Sequence, residues 1–175
     1  MASVKGIAPC LWFDDQAEDA ARYYTGIFKN SRISKIARYG EAGREVTRKE
    51  PGSVMMVDFE LNGQPFNALN GGPQFQFNEA ISLVITCQDQ KEVDYYWDKL
   101  GQGGDPAAQV CGWLKDKYGV SWQVVPARLN DLLGDPESEK SQRAMEAMLK
   151  IKKIDIATLE RAYNGEPAPE PAGRR

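Results

Sequence analysis

The sequence contains no histidine, and this absence removes several kinds of site at once. Ser-His-Asp and Cys-His catalysis both need an imidazole base, so neither is available. Zinc or iron bound through histidine is excluded for the same reason. Any general acid–base chemistry must therefore use aspartate, glutamate, lysine, tyrosine or cysteine side chains.

Cysteine is scarce as well. The chain has three cysteines, Cys10, Cys87 and Cys111, which is an odd number, and they form no Cys-x-x-Cys pair. Each lies in a run typical of a β-strand, so we expect buried, reduced thiols that pack as small apolar groups. A catalytic thiol normally needs an activating base, and no histidine is present to supply one.

Long apolar runs are also missing. No stretch approaches the roughly 18 apolar residues of a membrane-spanning helix, and no apolar segment with a basic flank resembles a signal peptide. The net charge is −3 over 175 residues, whereas nucleic-acid binding usually needs a basic patch. We therefore expect a cytoplasmic protein that has neither membrane nor nucleic-acid partners.

The residues that are present show an internal repeat. Positions 15–18 and 89–92 share the pattern Asp-Gln-x-Glu, a capping box in which Asp15 and Asp89 are expected to cap helices. Each pattern follows an apolar strand, and the first helix is predicted over about 16–29. Strand and hairpin patterns follow each helix, including the turn sequence Asn62-Gly63. The matching order of elements predicts two βαβββ units.

This pattern divides the chain into four predicted segments. The first βαβββ module is predicted over 1–74. The second is predicted over 75–127, with strands over 80–87, 110–115 and 120–125. Amphipathic helices over 128–164 need an apolar surface, which a neighbouring module or a second subunit could supply. Residues 165–175 are rich in proline, glutamate and glycine and are predicted to be disordered.

Five segments, in order, resemble one known family. They are PCLWF at 9–13, YYTGIF at 23–28, NGGPQFQFNEAISL at 70–83, CGWLKDKYGVSWQVVP at 111–126 and KIDIATLERA at 153–162. Together they resemble the PhnB-like family, labelled 3-demethylubiquinone-9 3-methyltransferase, of the vicinal-oxygen-chelate superfamily of glyoxalases, bleomycin-resistance proteins and dioxygenases. The resemblance implies an α+β fold: tandem βαβββ modules forming a curved mixed sheet around a cavity, plus C-terminal helices.

The resemblance also allows the superfamily's metal positions to be compared with this chain. Superfamily enzymes bind a divalent metal through side chains that correspond here to Pro9, Asn67, Ala80 and Gln123. Proline and alanine cannot ligate a metal, and neutral amides are poor ligands for transition metals. The turns from strand to helix lack the glycines of a Rossmann-type nucleotide site. We therefore expect no metal, no S-adenosylmethionine and no other cofactor.

Strand alternation then selects candidate site residues. Asp58 and Glu60 are two apart on one predicted strand, so both point to the same face. They are the candidate catalytic carboxylates, although a solvated polar face would explain them equally well. The candidate ligand-binding residues are those predicted to face the cavity: Leu11, Phe13, Asn67, Leu69, Ser82, Trp113 and Gln123.

Three functions are compatible with this pattern. The first is a protein that binds a small, largely apolar molecule in a metal-free cavity. The second is an enzyme of the glyoxalase/dioxygenase superfamily, with isomerase, lyase or transferase-like chemistry, that uses carboxylates or a weakly held metal. The third is an interaction protein whose C-terminal helices dock a partner. The resemblance implies a homodimer in each case, while the residues leave open whether any reaction is catalysed.

Overall fold

A computed structural model describes residues 5–42 and 44–167. The chain divides into two compact units, 1–77 (unit 1) and 78–175 (unit 2). Most of the predicted disordered tail, residues 168–175, lies outside the described residues.

Unit 1 has the predicted βαβββ order with one added helical turn. Its elements are β1 (Cys10–Phe13), α1 (Ala17–Ile27), β2 (Arg32–Arg38), α2 (Arg44–Thr47), β3 (Val54–Leu61) and β4 (Gln64–Asn70). The sheet order is β1-β4-β3-β2, in which β1 and β4 are parallel and the other pairs antiparallel. The β3–β4 hairpin turns at Asn62 and Gly63, both with positive φ, as the sequence predicts.

The core of unit 1 lies between α1 and one face of this sheet. Tyr24 on α1 is fully buried and stacks on Phe59 of β3, with ring centroids 6.4 Å apart. The buried positions of α1 recur at helical spacing, which is why this amphipathic segment packs on the sheet. They are Ala17, Ala20, Ala21, Tyr24 and Ile27.

The start of α1 differs from the prediction. Asp15 was expected to cap the helix. The N-cap residue is instead Gln16, whose side chain forms no capping hydrogen bond. Instead, Asn70 at the buried end of β4 accepts a hydrogen bond from the Ala17 N–H at 2.8 Å. A tertiary contact therefore satisfies an amide that the local sequence was expected to satisfy.

Unit 2 begins with the same order but has one strand fewer within the described residues. Its first elements are β5 (Leu83–Cys87), α3 (Gln90–Gly101), a 3-10 turn (Pro106–Ala108), β6 (Trp113–Lys115) and β7 (Ser121–Pro126). The sheet order is β5-β7-β6, with β5 and β7 parallel. Here the capping prediction is confirmed, since Asp89 accepts a hydrogen bond from the Glu92 N–H at 3.0 Å.

The predicted strand over 110–115 is wrong at its start. Val110 pairs antiparallel with Trp113 across a tight turn, so the chain reverses direction within the predicted strand. Cys111 and Gly112, the two residues of the turn, have φ of 49° and 84°. Such angles are typical of a two-residue hairpin turn, and Cys111 gives no sequence signal for one.

Three helices follow β7 and pack within unit 2. They are α4 (Leu129–Leu133), α5 (Glu139–Met148) and α6 (Ile156–Asn164). Ile154 and Leu159 are fully buried. The Gln90 side chain on α3 donates a hydrogen bond to the Ile154 carbonyl and accepts one from the Ile156 N–H. Among the described residues, every helix is too short or too polar to cross a membrane.

Candidate functional site

Each sheet has a face that packs against its helix and an opposite face, which we call the distal face. In unit 1, Asp58, Asn67 and Leu69 lie on the distal face, opposite the buried run Val57, Phe59 and Leu61. Leu11 and Phe13 do not join them. They pair in register with Ala68 and Asn70 and are 8% and 4% exposed. The predicted orientation of Leu11 and Phe13 toward the ligand is therefore wrong: the parallel β1–β4 register places them in the α1-facing core.

The two candidate carboxylates of unit 1 each have a partner. Asp58 Oδ1 accepts a hydrogen bond from Asn67 Nδ2 at 2.6 Å. Glu60 forms an ion pair with Arg32 at 3.1 Å, between β3 and β2. Asn67 therefore fixes the orientation of Asp58, whereas Glu60 takes part in a cross-strand pair of the kind that stabilises sheets.

Cys10 also lies on this distal face, directly opposite Asn67 in the β1–β4 ladder. It was expected to be buried, but it is exposed, because the odd positions of β1 fill the core and the even ones do not. Partial burial of the thiol and, secondly, the Asp58 carboxylate raise the pKa of Cys10. A raised pKa keeps the thiol protonated and lowers its reactivity as a nucleophile.

In unit 2 the structure brings together the three predicted ligand-binding residues Ser82, Trp113 and Gln123. Trp113 on β6 is directly opposite Gln123 on β7. Gln123 Nε2 donates a hydrogen bond to Ser82 Oγ at 2.8 Å. The distal face of this sheet therefore carries a half-buried indole beside an amide and a hydroxyl that hold each other in place.

A cavity of about 380 Å³ opens beside Trp113. It lies between β6 and the 3-10 turn, and the side chains around it are mostly apolar. Its lining residues are Glu79, Ala107, Ala108, Val110, Trp113, Leu114, Lys115 and Ser121. We call this cavity the β6 pocket.

Two polar features mark the β6 pocket. Lys115 forms an ion pair with Glu79, and the hydrogen bond from the ammonium lowers the pKa of the Glu79 carboxyl. Ser121, which is 2% exposed, has a buried hydroxyl with no hydrogen-bond partner among the described residues. Leaving such a group unpaired costs about 1–3 kcal/mol.

Sequence reasoning missed Lys115, Ser121 and Glu79 as site residues. Strand alternation was the available signal, because Lys115 is two residues from Trp113 and Ser121 is two from Gln123. The structure pairs Lys115 directly with Ser121 across the β6–β7 ladder. No sequence pattern marks Glu79, which precedes β5 and reaches Lys115 only through the fold.

The residues do not fit the divalent metal of the wider superfamily. At two of the corresponding positions the amides are engaged within the protein, Asn67 with Asp58 and Gln123 with Ser82. Within residues 5–42 and 44–167, no group of three or more His, Cys, Asp or Glu side chains could hold a metal ion.

The chain is similar to one family model and to several solved structures. The family model for 3-demethylubiquinone-9 3-methyltransferase matches residues 5–125. The PhnB protein from Bacillus cereus is 37% identical over 70% of this chain and 100% of its own, with a TM-score of 0.59. A protein from Staphylococcus aureus is 30% identical over 70% and 96% of the two chains, with a TM-score of 0.31. PA1353 from Pseudomonas aeruginosa is 18% identical over 69% and 96%, with a TM-score of 0.52.

These similarities identify the family and support the fold. No curated protein matches the chain. The predicted α+β fold with tandem strand–helix–strand units and C-terminal helices is confirmed, as is the resemblance to PhnB-like proteins. Because the family model covers well over half of the chain and the Bacillus cereus protein aligns along its whole length, the chain belongs to the 3-demethylubiquinone-9 3-methyltransferase family.

Proposed function

We propose that the chain binds a small, largely apolar molecule in the β6 pocket, without a metal ion. The observation that supports this most directly is the cavity of about 380 Å³ beside the half-buried indole of Trp113. Sites for small molecules are typically concave and mostly apolar, with a few polar groups that orient the ligand. The β6 pocket has this character, since Lys115 and Ser121 are polar groups among alanine, valine and tryptophan side chains.

The surrounding residues support binding at this position. The hydrogen bond from Gln123 to Ser82 fixes polar groups next to Trp113, so the indole has a defined neighbour on the distal face. Val110 at the pocket edge is 52% exposed, an apolar surface that a ligand would cover. In unit 1, Asn67 and Leu69 remain predicted ligand contacts on the distal face of that sheet.

Fragment binding to the complete chain tests this proposal. A library of small aromatic and aliphatic compounds would be screened by ligand-detected NMR, with elemental analysis of the same sample. We expect metal-independent binding that Trp113→Ala weakens at least tenfold. Tyr95→Ala is the matched control, because Tyr95 is an exposed aromatic residue of α3 outside the β6 pocket. If no fragment binds, or if the two variants behave alike, the proposed site is wrong.

The alternative is an enzyme that uses Asp58. The observation that favours it is the 2.6 Å hydrogen bond from Asn67, which orients a carboxylate on the distal face of unit 1. An oriented carboxylate can act as a general base. Once a ligand is known, turnover that disappears in Asp58→Asn would support this function, and unchanged turnover would remove Asp58 from any mechanism. Glu60, already paired with Arg32, serves as the comparison through Glu60→Gln.

We further propose that the protein is a cytoplasmic homodimer. Met145 and Leu149 on and after α5 are 40% and 63% exposed, which leaves apolar surface that a second copy could cover. Other apolar residues in and between these helices, namely Leu132, Ala144, Ile154 and Leu159, are buried within unit 2. Light scattering at micromolar concentration tests the assembly, and a monomer would refute it.

A further inference from the structure

We propose that the ligand of the β6 pocket carries a carboxylate, which takes the place of Glu79 on the Lys115 ammonium. The ligand class is therefore a small monocarboxylic acid with an apolar body. This inference rests on the proposed function of the same pocket. In it, Glu79 acts as an internal competitor that occupies the carboxylate position while the pocket is empty.

The ion pair at the pocket is unequal in exposure. The Lys115 side chain is 25% exposed, whereas that of Glu79 is 62% exposed. Because the Lys115 side chain is mostly covered by protein, its charge gains from an anionic partner. An exposed carboxylate can leave for solvent at little cost, since surface ion pairs contribute little. A ligand carboxylate can therefore replace Glu79 while Lys115 stays in place.

Ser121 lies beside Lys115 at the polar end of the pocket. It lies directly opposite Lys115 in the β6–β7 ladder, and its buried hydroxyl has no partner among the described residues. If the Ser121 side chain rotates toward the pocket, its hydroxyl and the Lys115 ammonium can both donate hydrogen bonds to one carboxylate, which offers two oxygens as acceptors. A ligand amine would instead meet a like charge at Lys115.

The rest of the β6 pocket selects the body of the ligand. Its volume of about 380 Å³ exceeds what a carboxylate alone fills. Trp113, Val110 and the two alanines of the 3-10 turn provide apolar walls around the remaining space. An aromatic ring or a branched aliphatic chain next to an indole is favoured there. Benzoate is a suitable probe for the class, and benzamide is its neutral counterpart of the same shape.

Calorimetric titration with benzoate and benzamide tests the inference. We expect the wild-type chain to bind benzoate at least tenfold more tightly than benzamide. Lys115→Met should remove this preference. Glu79→Gln should tighten benzoate binding about two- to fivefold, because it removes the competing charge of an exposed pair, and should leave benzamide binding unchanged. Substitutions of the two residues of this ion pair are thus expected to change benzoate affinity in opposite directions.

A matched control separates this effect from general electrostatics. Asp94 and Lys153 form an ion pair in the same unit, away from the β6 pocket. Asp94→Asn should therefore change neither affinity. Equal binding of benzoate and benzamide, or weaker benzoate binding in Glu79→Gln, would overturn the carboxylate inference while leaving the proposed function intact. If neither probe nor any neutral fragment binds, the proposed function fails together with this inference.

Discussion

Removal of the Asp116 carboxylate should be among the most destabilising single changes in unit 2. Asp116 is 2% exposed at the turn between β6 and β7. Its Oδ1 accepts hydrogen bonds from the Tyr118 and Val120 N–H groups at 2.8 and 3.1 Å, and its Oδ2 accepts one from Trp122 Nε1 at 2.8 Å. Asp116→Ala removes the acceptor of these three hydrogen bonds, two of which are buried. At about 1–3 kcal/mol for each of the two buried donors, the free energy of unfolding should fall by about 2–6 kcal/mol.

Urea unfolding followed by far-ultraviolet circular dichroism measures this change. The matched control is Asp135→Ala, since Asp135 also accepts a hydrogen bond from the N–H two residues on, but in an exposed turn. It should cost no more than about 0.5 kcal/mol. Asp116→Asn should fall between the two, because it keeps one acceptor oxygen. An Asp116→Ala protein as stable as the Asp135→Ala protein would refute the view that this carboxylate organises the hairpin.

Four further outcomes follow from individual contacts. Cys10, which is exposed, should react with a thiol reagent in the folded protein, but more slowly than a free thiol because its pKa is raised; fully buried Cys87 should react only after unfolding. Burial raises the pKa of Cys87 from near 9 to about 12, so the folded state holds this proton more tightly. The contribution of the protonated Cys87 thiol to the free energy of unfolding is complete below pH 9 and is lost as the pH rises toward 12. In denaturant titrations between these pH values, Cys87→Ala should therefore lose stability less steeply with pH than the wild-type chain. Arg143→Met should cost about 1–2 kcal/mol in urea unfolding, because this guanidinium donates hydrogen bonds to two carbonyls at the end of α6. Gly71→Ala should cost about 1–3 kcal/mol, because its Cβ would lie 2.1 Å from the Trp12 ring; an unchanged unfolding midpoint would show that the ring moves freely.

The parts of the fold that depend on local signals were predictable from the sequence. The hairpin turn predicted at Asn62-Gly63 is present between β3 and β4, because both residues of this local signal tolerate positive φ. Asp89 caps α3 as predicted, since the whole capping box lies within one turn of the chain. In such segments the residues that determine the structure are neighbours in sequence, so no tertiary information is needed.

The predictions fail where a contact with a residue distant in the sequence determines the structure that the local pattern was expected to determine. Asp15 has the sequence of a helix cap, but Asn70 from β4 takes that role for α1. Leu11 and Phe13 were assigned to the ligand face, and only the register with β4 shows that they point into the core. A shift of one residue in register reverses every side chain of a strand, so orientation is less predictable than strand existence.

Comparison of the two units, each taken alone, gives a physical reason for the position of the β6 pocket. In unit 1, β2 lies along the edge of β3 and completes a four-stranded sheet. In unit 2, the segment at the equivalent edge of β6 is the 3-10 turn Pro106–Ala108, which Asp105 caps through the Ala107 N–H. Pro106 has no N–H to donate to a ladder, and the two alanines that follow it have small side chains. The missing strand therefore leaves space beside Trp113. The 3-10 turn that stands in place of an edge strand thus both narrows the sheet and creates the cavity. The cross-strand pair of Lys115 and Ser121 gives that cavity its polar end.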